Sequence, residues 1–129
     1  MKIAGLWNNH DCSFCVLDNG IPIIHAELER YIREKEPKGD SYKFFKEICK
    51  NKKIDEWITA EGCFTDEHTF TTDCYEIGHH QAHAANTFFS SNVKESLIIT
   101  IDGGGLDNGE WTSTTIWRGI DNKIHPINI

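Results

Sequence analysis

Two stretches constrain this chain more than anything else in it. Gly78-His79-His80-Gln81-Ala82-His83-Ala84-Ala85 puts three histidines within five positions of a helical pattern. Ile98-Ile99-Thr100-Ile101-Asp102-Gly103-Gly104-Gly105 is an apolar strand that ends in an acid and three glycines. Residues three or four apart on a helix share a face, so His79 with His83, or His80 with His83, can point at one ion. The spacing admits both pairs. Neutral imidazoles suit zinc or ferrous iron and want a carboxylate or a third histidine beside them. Asp102 is that candidate, at the carboxyl end of a strand, where open α/β folds place their sites. Gly103, Gly104 and Gly105 remove three side chains in a row, which lets backbone N–H groups approach phosphate oxygens. The plainer readings of the same residues are histidines used as helix caps and a glycine turn that only joins strands.

The rest of the chain supplies a frame for these motifs. Lys2 to Trp7 reads as a buried strand, Asn8 to Asp11 as a polar turn and Cys12 to Leu17 as a second strand. Asp18-Asn19-Gly20 is a hairpin signal, and Ile21 to Glu29 makes a third strand of an antiparallel meander. A helix capped by Asp40 or Ser41 and running to about Asn51 is expected, with Tyr42, Phe45, Ile48 and Cys49 along one stripe. Ile54 to Ala60 reads as a strand parallel to the first, and Gly62 to Tyr75 as a loop. The histidine helix covers about His80 to Ser90, followed by the strand Ser96 to Asp102. Glu110 to Arg118 alternates as a strand, and Asp121-Asn122 turns it into Lys123 to Ile127. The order βββαβαβ with a closing hairpin is an α/β fold with a mixed sheet. The hairpin reads as unfinished, pointing to a truncated product or one half of a longer protein.

Composition excludes several function classes. A net charge of -7 works against a large nucleic-acid footprint, which needs a basic face to displace counterions. No apolar run approaches a membrane span or a signal peptide, so a cytoplasmic protein is expected. Five cysteines, an odd number, read as reduced thiols, and the lone Cys12-x-x-Cys15 reads as packing rather than chemistry. Elsewhere, His10 suits a general acid or base and Asp11 suits a magnesium-bound water or phosphate network, with an ordinary Asx turn as the competitor. Glu67, His68 and Asp73 are residue types that ligate metals, in a stretch where they are also ordinary loop residues.

Four ordered motifs resemble the N-terminal part of the O-carbamoyltransferases of the nodulation, tobramycin and cephamycin type. They are Asn9-His10-Asp11-Cys12-Ser13, the Glu27 to Lys35 run with Arg30, Arg33 and Lys35, the His79 to Ala85 helix ending in Phe88-Phe89-Ser90-Ser91, and Thr100 to Gly105. The resemblance implies the ribonuclease H-like, actin-like ATPase fold, with a first lobe over 1–105 and the opening hairpin of an incomplete second lobe over 106–129. It implies His79 and His83 as ligands of iron or zinc with Asp102 in or beside the shell, and His10 near the transferred carbamoyl group. It also implies that Gly103 to Gly105 lie along the phosphates of ATP with its magnesium. Arg30, Arg33 and Lys35 would lie on a substrate edge. The implied reaction turns carbamoyl phosphate and ATP into carbamoyl adenylate, then moves the carbamoyl group to a hydroxyl of a small acceptor. Family members run to several hundred residues, so the resemblance implies that a second lobe, on the same or a second polypeptide, completes the enzyme. Two other readings remain: a relative acting on tRNA or in hydrogenase maturation, and a non-catalytic metal- or nucleotide-binding half.

Overall fold

The computed structural model describes residues 1–63, 70 and 72–127. They form two compact units, Met1–Glu76 and Ile77–Ile129. Glu67 and His68 lie outside the described residues.

In the first unit, β1 (Lys2–Trp7), β2 (Ser13–Asp18) and β3 (Ile21–Glu27) make the expected antiparallel meander. Asn19 and Gly20 both have positive φ (49° and 81°), the two-residue turn whose twist matches that of the flanking strands. A single helical turn, α1 (Glu29–Ile32), ends at Arg33 in the left-handed region. Helix α2 (Ser41–Ile48) follows, and its N-cap Asp40 accepts from Lys43 N–H at 3.0 Å. β4 (Glu56–Ala60) pairs in parallel with β1, as expected. The sheet order is β3-β2-β1-β4-β5.

Two expectations for this unit need correction. Of the expected stripe, Phe45 is buried and Tyr42 and Cys49 pack against the core, but Ile48 is exposed in the last turn and Ser41 and Phe44 are buried as well. Asn8 fixes that rotation, since its Oδ1 accepts from both Ser41 N–H (2.9 Å) and Ser41 O–H (2.6 Å). The stretch read as loop also contains β5 (Asp73–Ile77), an edge strand that buries neither face. The core joins Ala4, Leu6, Phe14 and Val16 of the meander to Phe44, Phe45, Ile54 and Trp57. Phe14 meets Phe44 and Phe45 edge to face, with centroids 5.2 and 5.3 Å apart, a favourable aromatic geometry. Cys12 belongs to this packing: burial, then the charge of Asp40, pushes its thiol up to about 11. All five cysteines are free.

In the second unit, α3 (His79–Phe89) covers one face of an antiparallel sheet ordered β6-β7-β8. The strands are β6 (Glu95–Asp107), β7 (Glu110–Ile120) and β8 (Lys123–Pro126). Ala84 and Phe88 of α3 pack with Ile98, Trp117 and Ile124. Gly119 is small because a Cβ there would lie 2.7 Å from the Phe88 ring. On the opposite face of β6, Leu97, Ile99 and Ile101 stand exposed. β6 is much longer than expected and continues through the three glycines, so they are not a turn between strands. It also runs unbroken across 105 and 106, where the sequence reading placed a domain boundary. From Ile101↔Thr114 to Gly105↔Thr112, β6 advances four residues while β7 moves two. Two extra residues are therefore accommodated in a wide bulge at Asp102 to Gly104. Among the described residues, no helix is long and apolar enough to cross a membrane.

Candidate metal centre

Strand alternation puts Asp102 on the same side of β6 as buried Ile98 and Thr100, the side that α3 covers. The first turn of α3 meets it there. Nε2 of His79 lies 2.5 Å from Asp102 Oδ2, and Nε2 of His83 lies 3.1 Å from that same oxygen. The two rings are 4.7 Å apart and nearly perpendicular. Nε2 of His80 lies 3.1 Å from the other oxygen, Oδ1. Burial raises the Asp102 carboxyl, but the His79 hydrogen bond, the Gly104 N–H and the charges of His79 and His80 outweigh it and bring it down to about 2. An ionised carboxylate only accepts, so His79 and His83 both carry a proton on Nε2 and both donate.

The histidines are not equivalent. His80 is fully buried, its Nε2 donates to the Thr112 carbonyl (3.0 Å) and its Nδ1 lies 2.8 Å from Thr100 Oγ1. Trp117 Nε1–H donates to the same Thr100 oxygen at 3.3 Å. One ligand atom each of His79, His80 and Asp102 lies within 4.8 Å of the others, so distance alone would group those three. The chemistry favours His83 over His80, because a nitrogen whose proton is held by a carbonyl is a poor ligand. The His83 side chain is 56% exposed and that of His79 18%, which leaves the pair open to solvent on one side. The pair expected from four-residue spacing is therefore the pair whose nitrogens share one oxygen.

What holds α3 in place escaped the sequence reading. Its N-cap is Gly78, which has no side chain to satisfy the first amides. Asp107, from the far end of β6, does so instead, accepting from His80 N–H (3.0 Å), Gln81 N–H (3.2 Å) and the Thr112 hydroxyl (2.9 Å). Gly78 N–H in turn donates to Gln81 Oε1 at 3.3 Å. A Cβ at Gly78 would overlap the Asp107 carboxylate, so glycine is needed for that approach. The one available signal was a helix start preceded by glycine rather than by a capping side chain, which implies an acceptor brought from elsewhere.

The three glycines have separate roles. Gly104, at φ +121°, donates its N–H to Asp102 Oδ1 at 2.8 Å and leaves no room for a Cβ beside the Trp111 indole. A Cβ on Gly105 would run into the His79 ring, whereas Gly103 has open space around it. Gly105→Ala should therefore destabilise the fold by about 1–3 kcal/mol, typical of overpacking, and should weaken any ion held by His79. Gly103→Ala should change stability by less than about 0.5 kcal/mol. Chemical denaturation of the two variants side by side checks both values.

The other expected site residues lie in the first unit. His10 and Asp11 sit in the β1–β2 turn, with His10 Nδ1 2.9 Å from Asp11 Oδ2 and both side chains exposed. Trp7 Nε1–H donates to the His10 carbonyl at 2.7 Å, and Asp11 has φ of 61°. Arg30 faces Glu27 at 3.4 Å, Arg33 closes α1 through its backbone N–H, and Lys35 is exposed. Asp73 is an exposed residue of β5.

No family profile matches the sequence. Over 48 residues, 37% of this chain, it is 42% identical to a Synechocystis sp. protein described as "Uncharacterized protein sll1178". That match covers 7% of the relative. In structure, 98% of the chain matches 21% of full-length HypF in its phosphate- and nucleotide-bound form, with a TM-score of 0.72 and 14% sequence identity. The chain thus spans under a quarter of either protein. What it shares with HypF at that identity is a fold: mixed α/β, with one mixed sheet and one antiparallel sheet.

Proposed function

We propose that the chain is part of a carbamoyl-transferring protein of the O-carbamoyltransferase type, and that His79, His83 and Asp102 hold a ferrous or zinc ion. The observation that carries this reading is the meeting of two imidazole Nε2 atoms on one Asp102 oxygen. Two nitrogens and a carboxylate with an exposed side are a donor set that suits either ion and leaves positions for a substrate. Such an ion, when bound, supplies Lewis acidity toward a carbonyl or phosphoryl oxygen. For Nε2 of His79 and His83 to face the ion, each ring would carry its proton on Nδ1 instead. His80, Thr100 and Asp107 keep the two ligands in place by fixing the first turn of α3.

The resemblance set out above and the likeness to HypF support the actin-like ATPase fold as the finer description of these sheets. ATP with its magnesium, carbamoyl phosphate and a small hydroxyl acceptor follow as ligands of the complete protein, with the remaining lobe on the same or a second polypeptide. Of the three glycines, Gly103 is the one with space for a phosphate, since Gly104 N–H already serves Asp102. His10, with Asp11 accepting at Nδ1, has the arrangement of an oriented acid–base, whose Nε2 is left to take a proton. Arg30, Arg33 and Lys35 are the candidate anion-facing edge. The likeness to HypF also favours a second reading, a relative with the same carbamoyl chemistry and a different acceptor.

The test is metal analysis of the chain purified without oxygen, beside His79→Ala/His83→Ala. About one iron or zinc per chain is expected for a three-ligand site, and its loss in the double variant. A metal-free chain that stays so when both ions are supplied would remove the centre from these residues.

A further inference from the structure

The carboxylate on which His79 and His83 converge stands in a part of β6 that has little of its own to hold it still. The register passes from Ile101↔Thr114 to Gly105↔Thr112, so Asp102, Gly103 and Gly104 have no partner across the ladder to β7. β6 is also the edge of its sheet, which leaves its other side without a ladder among the described residues. Two of the three bulge residues are glycines, the residue with the most conformational freedom to lose on folding. A carboxylate carried on such a segment needs a restraint from outside it.

Trp111 supplies a surface in the right place. Its indole occupies the position that a Cβ of Gly104 would take, with Nε1, Cε2 and Cζ2 the nearest atoms. Gly104 N–H donates in turn to Asp102 Oδ1 at 2.8 Å, so ring, glycine and carboxylate form one chain of contacts. Trp111 itself is anchored opposite Leu106, where the paired ladder has resumed. It is 69% exposed and belongs to neither buried cluster. Core packing therefore does not account for an indole at this position. Gly103, by contrast, has nothing over it.

We propose that Trp111 is a positioning residue for the candidate metal centre. Its ring, seated on Gly104, fixes the glycine bulge so that Gly104 N–H holds Oδ1 and Oδ2 of Asp102 stays turned toward His79 and His83. What the carboxylate is held for rests on the metal-centre reading; the clamp itself does not.

The test compares the full chain with Trp111→Ala and Trp111→Phe. Amide hydrogen exchange of the metal-free proteins, followed by NMR, reads local opening of the bulge. In Trp111→Ala the Gly104 amide should exchange at least about tenfold faster, while the Ile98 and Trp117 amides of the buried cluster keep their rates. Trp111→Phe, whose ring can still cover Gly104, should restore most of the protection. Zinc affinity, from chelator competition, should fall about 10–100-fold in Trp111→Ala, the range for a residue that orients a ligand, and recover in Trp111→Phe. An unchanged Gly104 amide in Trp111→Ala would overturn the proposal, whether or not the chain binds metal. Equal acceleration at Ile98 and Trp117 would overturn it as well, since Trp111 would then be a general stabiliser. So would faster exchange at Gly104 with unaltered zinc affinity. A chain that binds no zinc at all would remove the metal reading alone, and the exchange rates would still decide the clamp.

Discussion

Asp102→Asn should lower the affinity of the chain for ferrous iron or zinc by more than a hundredfold while leaving it folded. Loss of a residue that only orients a ligand typically weakens metal binding by about 10–100-fold, and Asp102 is argued to be a ligand itself. The amide keeps the shape but loses the charge that two imidazoles share at 2.5 and 3.1 Å. Competition against a chelator of known affinity measures the change. Equal affinity of the Asn and Asp forms would leave His79 and His83 as helix-terminus residues without an ion. The metal-free protein offers a second reading of the same carboxylate. Its folded value of about 2 lies below the ordinary 3.8, so its stabilising effect is complete above about pH 4. That effect is lost as pH falls toward 2, and Asp102→Asn should lack this part of the acid transition.

Asp107→Ala should destabilise the chain by about 2–3 kcal/mol, summing a lost helix cap and a lost charge-assisted bond to a hydroxyl. The carboxylate serves three donors, and alanine serves none. The same variant should weaken metal binding by about 10–100-fold, as an outer partner does, because the start of α3 carries both proposed histidine ligands. Asp107→Asn, which keeps one acceptor oxygen, should recover part of each loss. Denaturation midpoints and chelator competition on the two variants provide the check. Unchanged stability in Asp107→Ala would mean that water caps α3 equally well.

Much of the candidate centre was legible because its parts obey local periodicities. Four-residue spacing put His79 and His83 on one face, and the apolar run from Ile98 put Asp102 at the carboxyl end of the strand that follows. The meander and the parallel β4 were legible for the same reason, in alternating patterns and a two-residue turn. What failed depended on partners distant in the chain. Asp107 caps α3 through the N–H of His80, 27 residues before it. Gly104 and Gly105 are small because Trp111 and His79 occupy the space, and a run of glycines reads alike as turn or bulge. β5 escaped because an exposed edge strand has no apolar face to announce it. The rotation of α2 depended on Asn8, 33 residues before Ser41.

The cap that Asp107 lends to α3 also sets an order of events during folding. A helix of 11 residues gains little stability from its own hydrogen bonds. Its missing N-terminal acceptor arrives only when the intervening segment has doubled back, at the entropic cost of closing a loop. The histidines can therefore act as a chelating pair only after β6 has docked. Metal uptake by the nascent chain should wait until synthesis has passed Asp107 and the hairpin beyond it, however early the ligands themselves emerge.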